Sequence, residues 1–334
     1  MSPTLKRGLR YLFTAVVVAM LVLFARKVEW SDTWQAMRTA DWTLLVLAVV
    51  VNLLSAVTKA IRWWIFLRPV GARSLGLAMR ASFAGMGLNN VLVANGGEAA
   101  KVVFVARGAH IPSATVLATV VVERMFEAIG YVVLLALSAL VLSLPPSLAR
   151  TRPFALAALV GTAVLLVYLI RHPGTAEVIT PVHTRFMDRA KGYWTRFMGT
   201  LGGISTGPRF AGALAMSVLG WALQVATYHL TAMSAHMPIS VVGTISALLA
   251  VNIGFALRAT PGNVGVFQLM YAATAAFFGM DKDQAIAVAF LIQAQQIIPI
   301  TLIGVALAPQ FVFGKQRMVR AEDRGEVPVA SRGD

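Results

Sequence analysis

Cysteine is absent from the 334 residues, which excludes disulfides and thiolate-held metal sites. Charge is scarce: 13% of residues are Asp, Glu, Lys or Arg, about half the share of a soluble domain. Acids are scarcer than bases, with 14 Asp and Glu against 29 Lys and Arg. Long polar stretches are missing too. The longest are residues 171–208 and the tail after Phe313, and that tail is too short to bury a core. The glycine-rich run Leu201–Gly207 follows no strand and lacks the GK[ST] of a P-loop, so no ATP site is expected. The five histidines show no ligand spacing, so neither a metal nor another cofactor is expected.

Apolar sequence is what remains. Hydrophobic residues make up 58% and mean hydropathy is +0.74. Several windows exceed the ~18 apolar residues of a spanning helix. The net charge of +15 sits in particular loops, as the positive-inside rule describes. Its expected partner is therefore anionic lipid rather than nucleic acid.

Charge placement gives a layout. An uncleaved first span is expected at about 9–25, then an interfacial segment at 26–41 with Trp30 and Trp34. A second span, 42–66, ends in Lys59, Arg62, Trp63, Trp64 and Arg68, which read as an anchor at the cytoplasmic surface. Residues 75–107 are apolar but broken by Gly87, Asn89, Asn90, Asn95, Gly96 and Gly97, with basic residues at both ends. They read as a hairpin entering and leaving on one side. A long helix from Ser113 to about Leu144 follows, then a span at 153–170 and a basic loop to Arg209. Within that loop, residues 184–198 read as an amphipathic helix on the lipid surface. A span at 209–232 leads to a second broken segment, 239–280, interrupted around Pro261-Gly262 and entering from the other side. The last span is 284–308, and residues 314–334 form a polar cytoplasmic tail.

The expected fold is thus an all-α integral membrane domain over residues 1–313. It has about six full spans plus two re-entrant broken-helix hairpins, with both termini cytoplasmic. The two units, about 42–144 and 209–308, have opposite orientation, an inverted repeat of the kind that builds many secondary transporters. A faint echo supports it: Gly108 precedes Arg124 by the same interval as Gly279 precedes Gln295.

Unwound backbone inside a bilayer is tolerated only where it is buried in protein or lines a cavity. The candidate site residues cluster accordingly. Glu98, Glu123 and Glu127 are the carboxylates expected at membrane depth, where a charge costs at least ~2.5–3.5 kcal/mol and seeks a partner or water. Glu123 and Glu127 share a helix face, and Arg124 lies beside them. Asn90, Gly97 and Lys101 belong to the first broken segment. Arg258, Pro261, Gly262, Asn263, Gly265 and Gln268 belong to the second, with Gln293, Gln295 and Gln296 as further uncharged polar lining. These groups could engage a lipid headgroup, or they could be buried pairs that fix helix packing. His229, alone in a span, reads as a packing hydrogen bond. No catalytic residue is assigned.

Together, Arg62-Trp63-Trp64, Asn89-Asn90 followed by Gly97-Glu98, Glu123-Arg124, and the run Pro261-Gly262-Asn263-Val264-Gly265-Val266-Phe267 resemble the lysylphosphatidylglycerol synthase transmembrane-region, or flippase-like, family. The resemblance covers nearly the whole chain and extends to a hopanoid-associated subset. It implies a multi-pass bacterial inner-membrane protein that moves or handles lipids, either anionic phospholipid or hopanoid-type lipid. Departures are informative. Gln268 stands where the family usually has Glu, and Gln293 and Gln295 occupy a region where Arg is usual. Lys101 replaces a common Arg, and Asn95 a common Pro. The aminoacyl-transferase domain of bifunctional members is not expected here, and so neither is synthesis of an aminoacyl lipid. The leading expectation is a lipid flippase or scramblase, not an enzyme. The alternatives are a scaffold for a lipid or envelope biosynthesis complex, as a homo-oligomer or bound to a lipid-synthesis enzyme, and an integral-membrane enzyme on a lipid-linked substrate.

Overall fold

The computed structural model describes residues 30–91, 96–141, 150, 152–171, 207–237, 239–255 and 263–312. Among them there are helices and turns and no strand. The first expected span, the loop helix at 184–198 and the C-terminal tail lie outside the described residues.

The helices are α1 (Trp30–Thr39), α2 (Trp42–Leu67), α3 (Leu75–Val91), α4 (Gly96–Gly108), α5 (Ser113–Val141), α6 (Arg152–Arg171), α7 (Gly207–Ser234), α8 (Val241–Gly254), α9 (Val266–Phe277) and α10 (Lys282–Val312). A 3₁₀ turn, Arg68–Val70, extends α2. Three helical stretches among the described residues are long and apolar enough to cross a bilayer: Trp42–Val70, Pro208–Ser234 and Lys282–Leu307. Helix α5 is longer than any of these windows needs, but carries Glu123, Arg124 and Glu127 near its middle.

Helix ends are set by local chemistry. Asp41 caps α2, its carboxylate accepting from the Thr43 and Leu44 amides at 2.8 and 3.2 Å, and Asp281 does the same at the start of α10. Four helices end in the same way, with a left-handed residue and an amide reaching back five residues, the Schellman closure. After α2 the left-handed residue is Gly71, and the Ala72 amide bonds the Leu67 carbonyl at 3.2 Å. After α4 it is His110, with Ile111 bonding Ala106 at 3.1 Å. After α7 it is His236, with Met237 bonding Ala232 at 3.1 Å. After α9 it is Gly279, with Met280 bonding Ala275 at 3.1 Å. Serine then opens each following hairpin, Ser74 before α3 and Ser240 before α8.

The same caps recur in order in α2–α5 and α7–α10. Every major packing pair in one has its mate in the other. Helix α3 lies on α4 as α8 lies on α9; α2 touches α3 and α5 as α7 touches α8 and α10; α4 rests on α5 as α9 rests on α10. The units also exchange contacts reciprocally, α10 on α3 and α5 on α8. At their centre α2 and α7 pack antiparallel: the Asp41 amide meets the Ser234 carbonyl at one end, and Arg62 meets Ser217 towards the other. Two cores lie along the bundle, each shared between the units, with Phe210 of α7 in the first and Tyr131 of α5 packed against the second. One is built on Trp63, Phe66, Phe126 and Phe210, and the other on Trp221, Tyr228, Phe267 and Tyr271.

The glycine contacts fix the internal alignment. Gly85 and Lys101 press together across the first hairpin, as Gly254 and Met270 do across the second. Those pairs, and the caps His110 and Gly279, stand at one constant sequence interval. This interval aligns His110 with Gly279, so the echo of Gly108 with Gly279 was two residues out of register. Arg124 then corresponds to Gln293 rather than Gln295.

Charge divides the bundle along its axis. Exposed Arg68, Arg73, Arg80, Arg107 and Arg209 gather where α2 and α4 end and α3 and α7 begin. At the opposite end Asp41, Asp281 and Asp283 are balanced by Arg38, Arg152 and Lys282. Both feet of the α3–α4 hairpin stand at the basic end, where Leu77 packs over Gly108.

Helices α3 and α10 cross through glycine. A Cβ on Gly304 would stand 2.4 Å from the Phe83 carbonyl oxygen and 2.7 Å from the Gly87 Cα, both backbone atoms that cannot rotate away. Gly304→Ala is expected to cost about 1–3 kcal/mol by overpacking and to lower the thermal midpoint of the purified protein. Gly161→Ala, where the added methyl meets nothing within 4 Å, should not lower it. Scanning fluorimetry of both variants checks this.

Candidate functional site

Seven ionisable side chains meet where the first hairpin packs on α2 and α5. Helix α2 supplies Lys59 and Arg62, α4 supplies Glu98 and Lys101, and α5 supplies Glu123, Arg124 and Glu127. The inner part is buried. Lys101 Nζ lies 2.6 Å from Glu123 Oε2, and Arg62 Nη2 lies 4.0 Å from Glu123 Oε1. Arg62 donates from Nη1 to Ser217 Oγ at 3.1 Å. The Lys101 ammonium also sits over the Trp63 ring, 4.0 Å from its centroid, a position favoured by the ring quadrupole. Trp63 is held by its own donation to Thr119 Oγ1 at 3.0 Å.

The outer part is more open. Arg124 bonds Glu98 through Nη2 and Glu127 through Nη1, the latter at 2.7 Å. Lys59 Nζ lies 3.9 Å from the other Glu127 oxygen. Two neutral groups set this geometry. The Asn89 side-chain oxygen accepts from the Gly97 and Glu98 amides at 2.9 and 3.3 Å, so one hairpin arm caps the other and fixes where Glu98 points. The Trp221 indole donates to the Glu127 carbonyl at 3.1 Å. Gly97 is required because a Cβ there would lie 2.0 Å from the Gly85 carbonyl oxygen.

The network holds four cations against three carboxylates. Arg62 Nε and Nη2 and Glu98 Oε2 are buried with no hydrogen-bond partner among the described residues. Leaving buried donors and acceptors unmet is costly.

The structure brings Gly97, Glu98, Lys101, Glu123, Arg124 and Glu127 together as one constellation. Asn90 points elsewhere and donates to Thr301 Oγ1 on α10 at 2.9 Å. Arg258, Pro261 and Gly262 lie outside the described residues. Asn263, Gly265 and Gln268 form a separate, uncharged arrangement. Asn263 and Gly265 have φ of 55° and 91°, and the Gly265 amide donates to Gln268 Oε1 at 2.7 Å. Gln268 Nε2 donates to Gln293 Oε1 at 2.6 Å. By the internal alignment this amide pair stands where Glu98 and Arg124 stand in the first unit, Arg124 falling on Gln293 and Glu98 one residue from Gln268. His229 meets Thr244 Oγ1 at 3.1 Å, a packing hydrogen bond.

Lys59, Arg62 and Asn89 are site residues that sequence reasoning passed over. Lys59 and Arg62 read as the surface anchor of a span, yet Arg62 and Trp63 are buried. Helical spacing held the missing signal: Asn52, Ser55, Lys59 and Arg62 recur at three and four residues, a polar stripe facing other helices rather than water. The anchor reading holds only for Arg68, which stacks over Trp64 at 4.9 Å.

Among the described residues no group of His, Asp and Glu is placed to hold a metal ion. An open cavity bordered by Gln35, Thr39, His236, Phe278 and Asp281 lies at the end opposite the arginine cluster, about 30 Å along α2 from Arg62 at 1.5 Å per residue. Its carboxylate, Asp281, is engaged in capping α10, so the ionic network is the better candidate site.

Glu123 is the pivot, since it alone separates two buried cations. Glu123→Gln would leave Lys101 and Arg62 facing each other and is expected to cost about 3–5 kcal/mol. Lys101→Met leaves the Arg62–Glu123 pair balanced and should cost distinctly less. Equilibrium unfolding of both variants reads the order directly.

Comparison with known proteins agrees with this picture. A UPF0104 membrane protein of Pyrococcus horikoshii is 29% identical over 133 residues, 39% of this chain and 40% of that protein. Residues 11–304 match the model of the lysylphosphatidylglycerol synthase TM region, which takes in the whole ionic network and both helical units except the last two turns of α10. The chain is a membrane protein and belongs to the lysylphosphatidylglycerol synthase transmembrane-region family.

Proposed function

We propose that this protein is a lipid flippase or scramblase that moves a polar-headed lipid across the bacterial inner membrane, without a cofactor and without chemical conversion of the lipid. The carrying observation is the seven-group ionic network that joins the first hairpin to α2 and α5 inside an otherwise apolar bundle. Ionisable groups are expensive at membrane depth and mark substrate or ion pathways. Two antiparallel units with hairpins opening from opposite ends support the reading, since paired interrupted helices are the usual site of transport in inverted-repeat carriers. Family membership supports a role in lipid metabolism or transport.

In this reading the hairpins are re-entrant, six helices cross fully and both termini are cytoplasmic. The arginine-rich end faces the cytoplasm by the positive-inside rule, and α1 lies at the outer surface with Trp34 exposed. The headgroup passes along the first hairpin, where Glu98 and Arg124 can exchange their mutual bond for bonds to the lipid. The second hairpin, with its neutral Gln268–Gln293 pair, supplies shape and uncharged hydrogen bonding.

The test is lipid flipping by the purified chain in liposomes carrying a fluorescent phosphatidylglycerol, read by quenching of the outer leaflet. Glu98→Gln and Arg124→Ala are each expected to slow flipping about tenfold, as the loss of a charge-assisted hydrogen bond implies. Wild-type rates in folded variants would remove the network from the pathway. A wild-type protein that flips nothing but co-purifies stoichiometrically with a lipid-synthesis enzyme would replace transport by scaffolding.

A further inference from the structure

Arg124 occupies an unusual place on α5. Leu117, Val121, Ala128 and Leu135 are exposed, and together with Arg124 they form one stripe at helical spacing. In a bilayer that stripe faces lipid. Arg124 belongs to it: its side chain is 49% exposed, against 7% for Lys101 and 3% for Arg62. Residue 124 lies eleven positions beyond Ser113, about 16 Å into the helix at 1.5 Å per residue. Lys59, its side chain 31% exposed, flanks it from the inward polar stripe of α2, at the rim of the interface with α5 and on the far side of the helix from the exposed Val46, Val50 and Leu54. The two helices run antiparallel here, with Trp63 bonded to Thr119 and Lys59 paired to Glu127. The seam between them therefore shows cations to the bilayer side of the protein.

Packing alone does not call for this. Glu98 and Glu127 hold Arg124 through Nη2 and Nη1, but a guanidinium has five N–H donors, and the network keeps one cation in surplus. An anion completes the balance. On a lipid-facing stripe the available anion is the phosphodiester of a lipid, whose oxygens suit the planar fork of arginine.

We propose that the α2–α5 seam is a membrane-side phosphate site. A phospholipid docks its phosphodiester on Arg124 and Lys59 directly from the leaflet at the arginine-rich end, before any entry between the hairpins. The inference deepens the transport reading and rests on it for the direction of travel, but binding can be measured without transport.

The experiment is native mass spectrometry of the full chain released from detergent micelles, titrated with phosphatidylglycerol. Diacylglycerol serves as the lipid lacking phosphate, and excess inorganic phosphate as the aqueous competitor. Wild type is expected to retain phosphatidylglycerol and not diacylglycerol, and to keep it in the presence of phosphate. Arg124→Ala should weaken retention about tenfold, one charge-assisted hydrogen bond, and Arg124→Lys should restore part of it. Because Arg124→Ala strands two carboxylates, the triple variant Glu98→Gln, Arg124→Gln, Glu127→Gln removes the Arg124 half of the site without stranding a carboxylate and leaves Lys59 as the one charge there. Retention by the triple variant equal to wild type overturns the proposal. Displacement by inorganic phosphate also overturns it, since the site would then be filled from water. Loss of flipping with retention unchanged in Arg124→Ala sinks this inference and leaves the transport reading intact. Arg124-dependent retention with no flipping does the reverse.

Discussion

Glu123 is the group on which the first half of the molecule depends. It lies between Lys101 of the hairpin and Arg62 of the central helix, in surroundings that offer little water. A carboxylate so placed ties three helices together because separating any one of them exposes a charge to a medium that cannot solvate it. Buried ion pairs contribute little net stability compared with apolar packing, but breaking one is expensive. The inner triad therefore acts as a fixed post. The more exposed groups, Arg124, Glu98, Glu127 and Lys59, are arranged around that post with freedom to exchange partners.

The scaffold is doubled while the chemistry is not. Both units use the same order of helices, the same left-handed closures and the same glycine contacts across their hairpins. At corresponding positions one unit carries Glu98 and Arg124, and the other Gln268 and Gln293. Amides keep a hydrogen bond without a charge, so among the described residues the second hairpin docks on α10 through a neutral pair.

Much of this could be read from the residues. The apolar runs, the two interruptions, the basic feet of the first hairpin and the family resemblance located the helices and most of the site. Glu98 with Arg124 was legible because both are rare charges in apolar sequence. Lys59 and Arg62 were misplaced for the opposite reason: two bases beside two tryptophans look like the end of a span, and only packing shows that Arg62 and Trp63 face inward. The register of the repeat was also beyond reach. Gly108 offered a plausible match to Gly279, but the true counterpart is His110, a residue shared through backbone conformation rather than side-chain type. Histidine tolerates the left-handed region without glycine's freedom, so nothing in its chemistry announces the cap. The orientation of Asn90 towards Thr301 likewise depends on a helix far away in sequence.

The contact between Gly85 and Gly97 bears on how the first hairpin can move. Its two arms touch backbone to backbone, and the Asn89 side chain bonds across them. At this contact nothing but backbone lies between the arms, while the Lys101 and Leu77 side chains pack between them nearer the feet. Any separation of Glu98 from Arg124 must then be taken up at the feet, in the glycine-led turn Gly71–Ser74 and the Ala109–Pro112 turn. In the proposed transport reading, the stroke of a headgroup is set at those turns, at the basic surface.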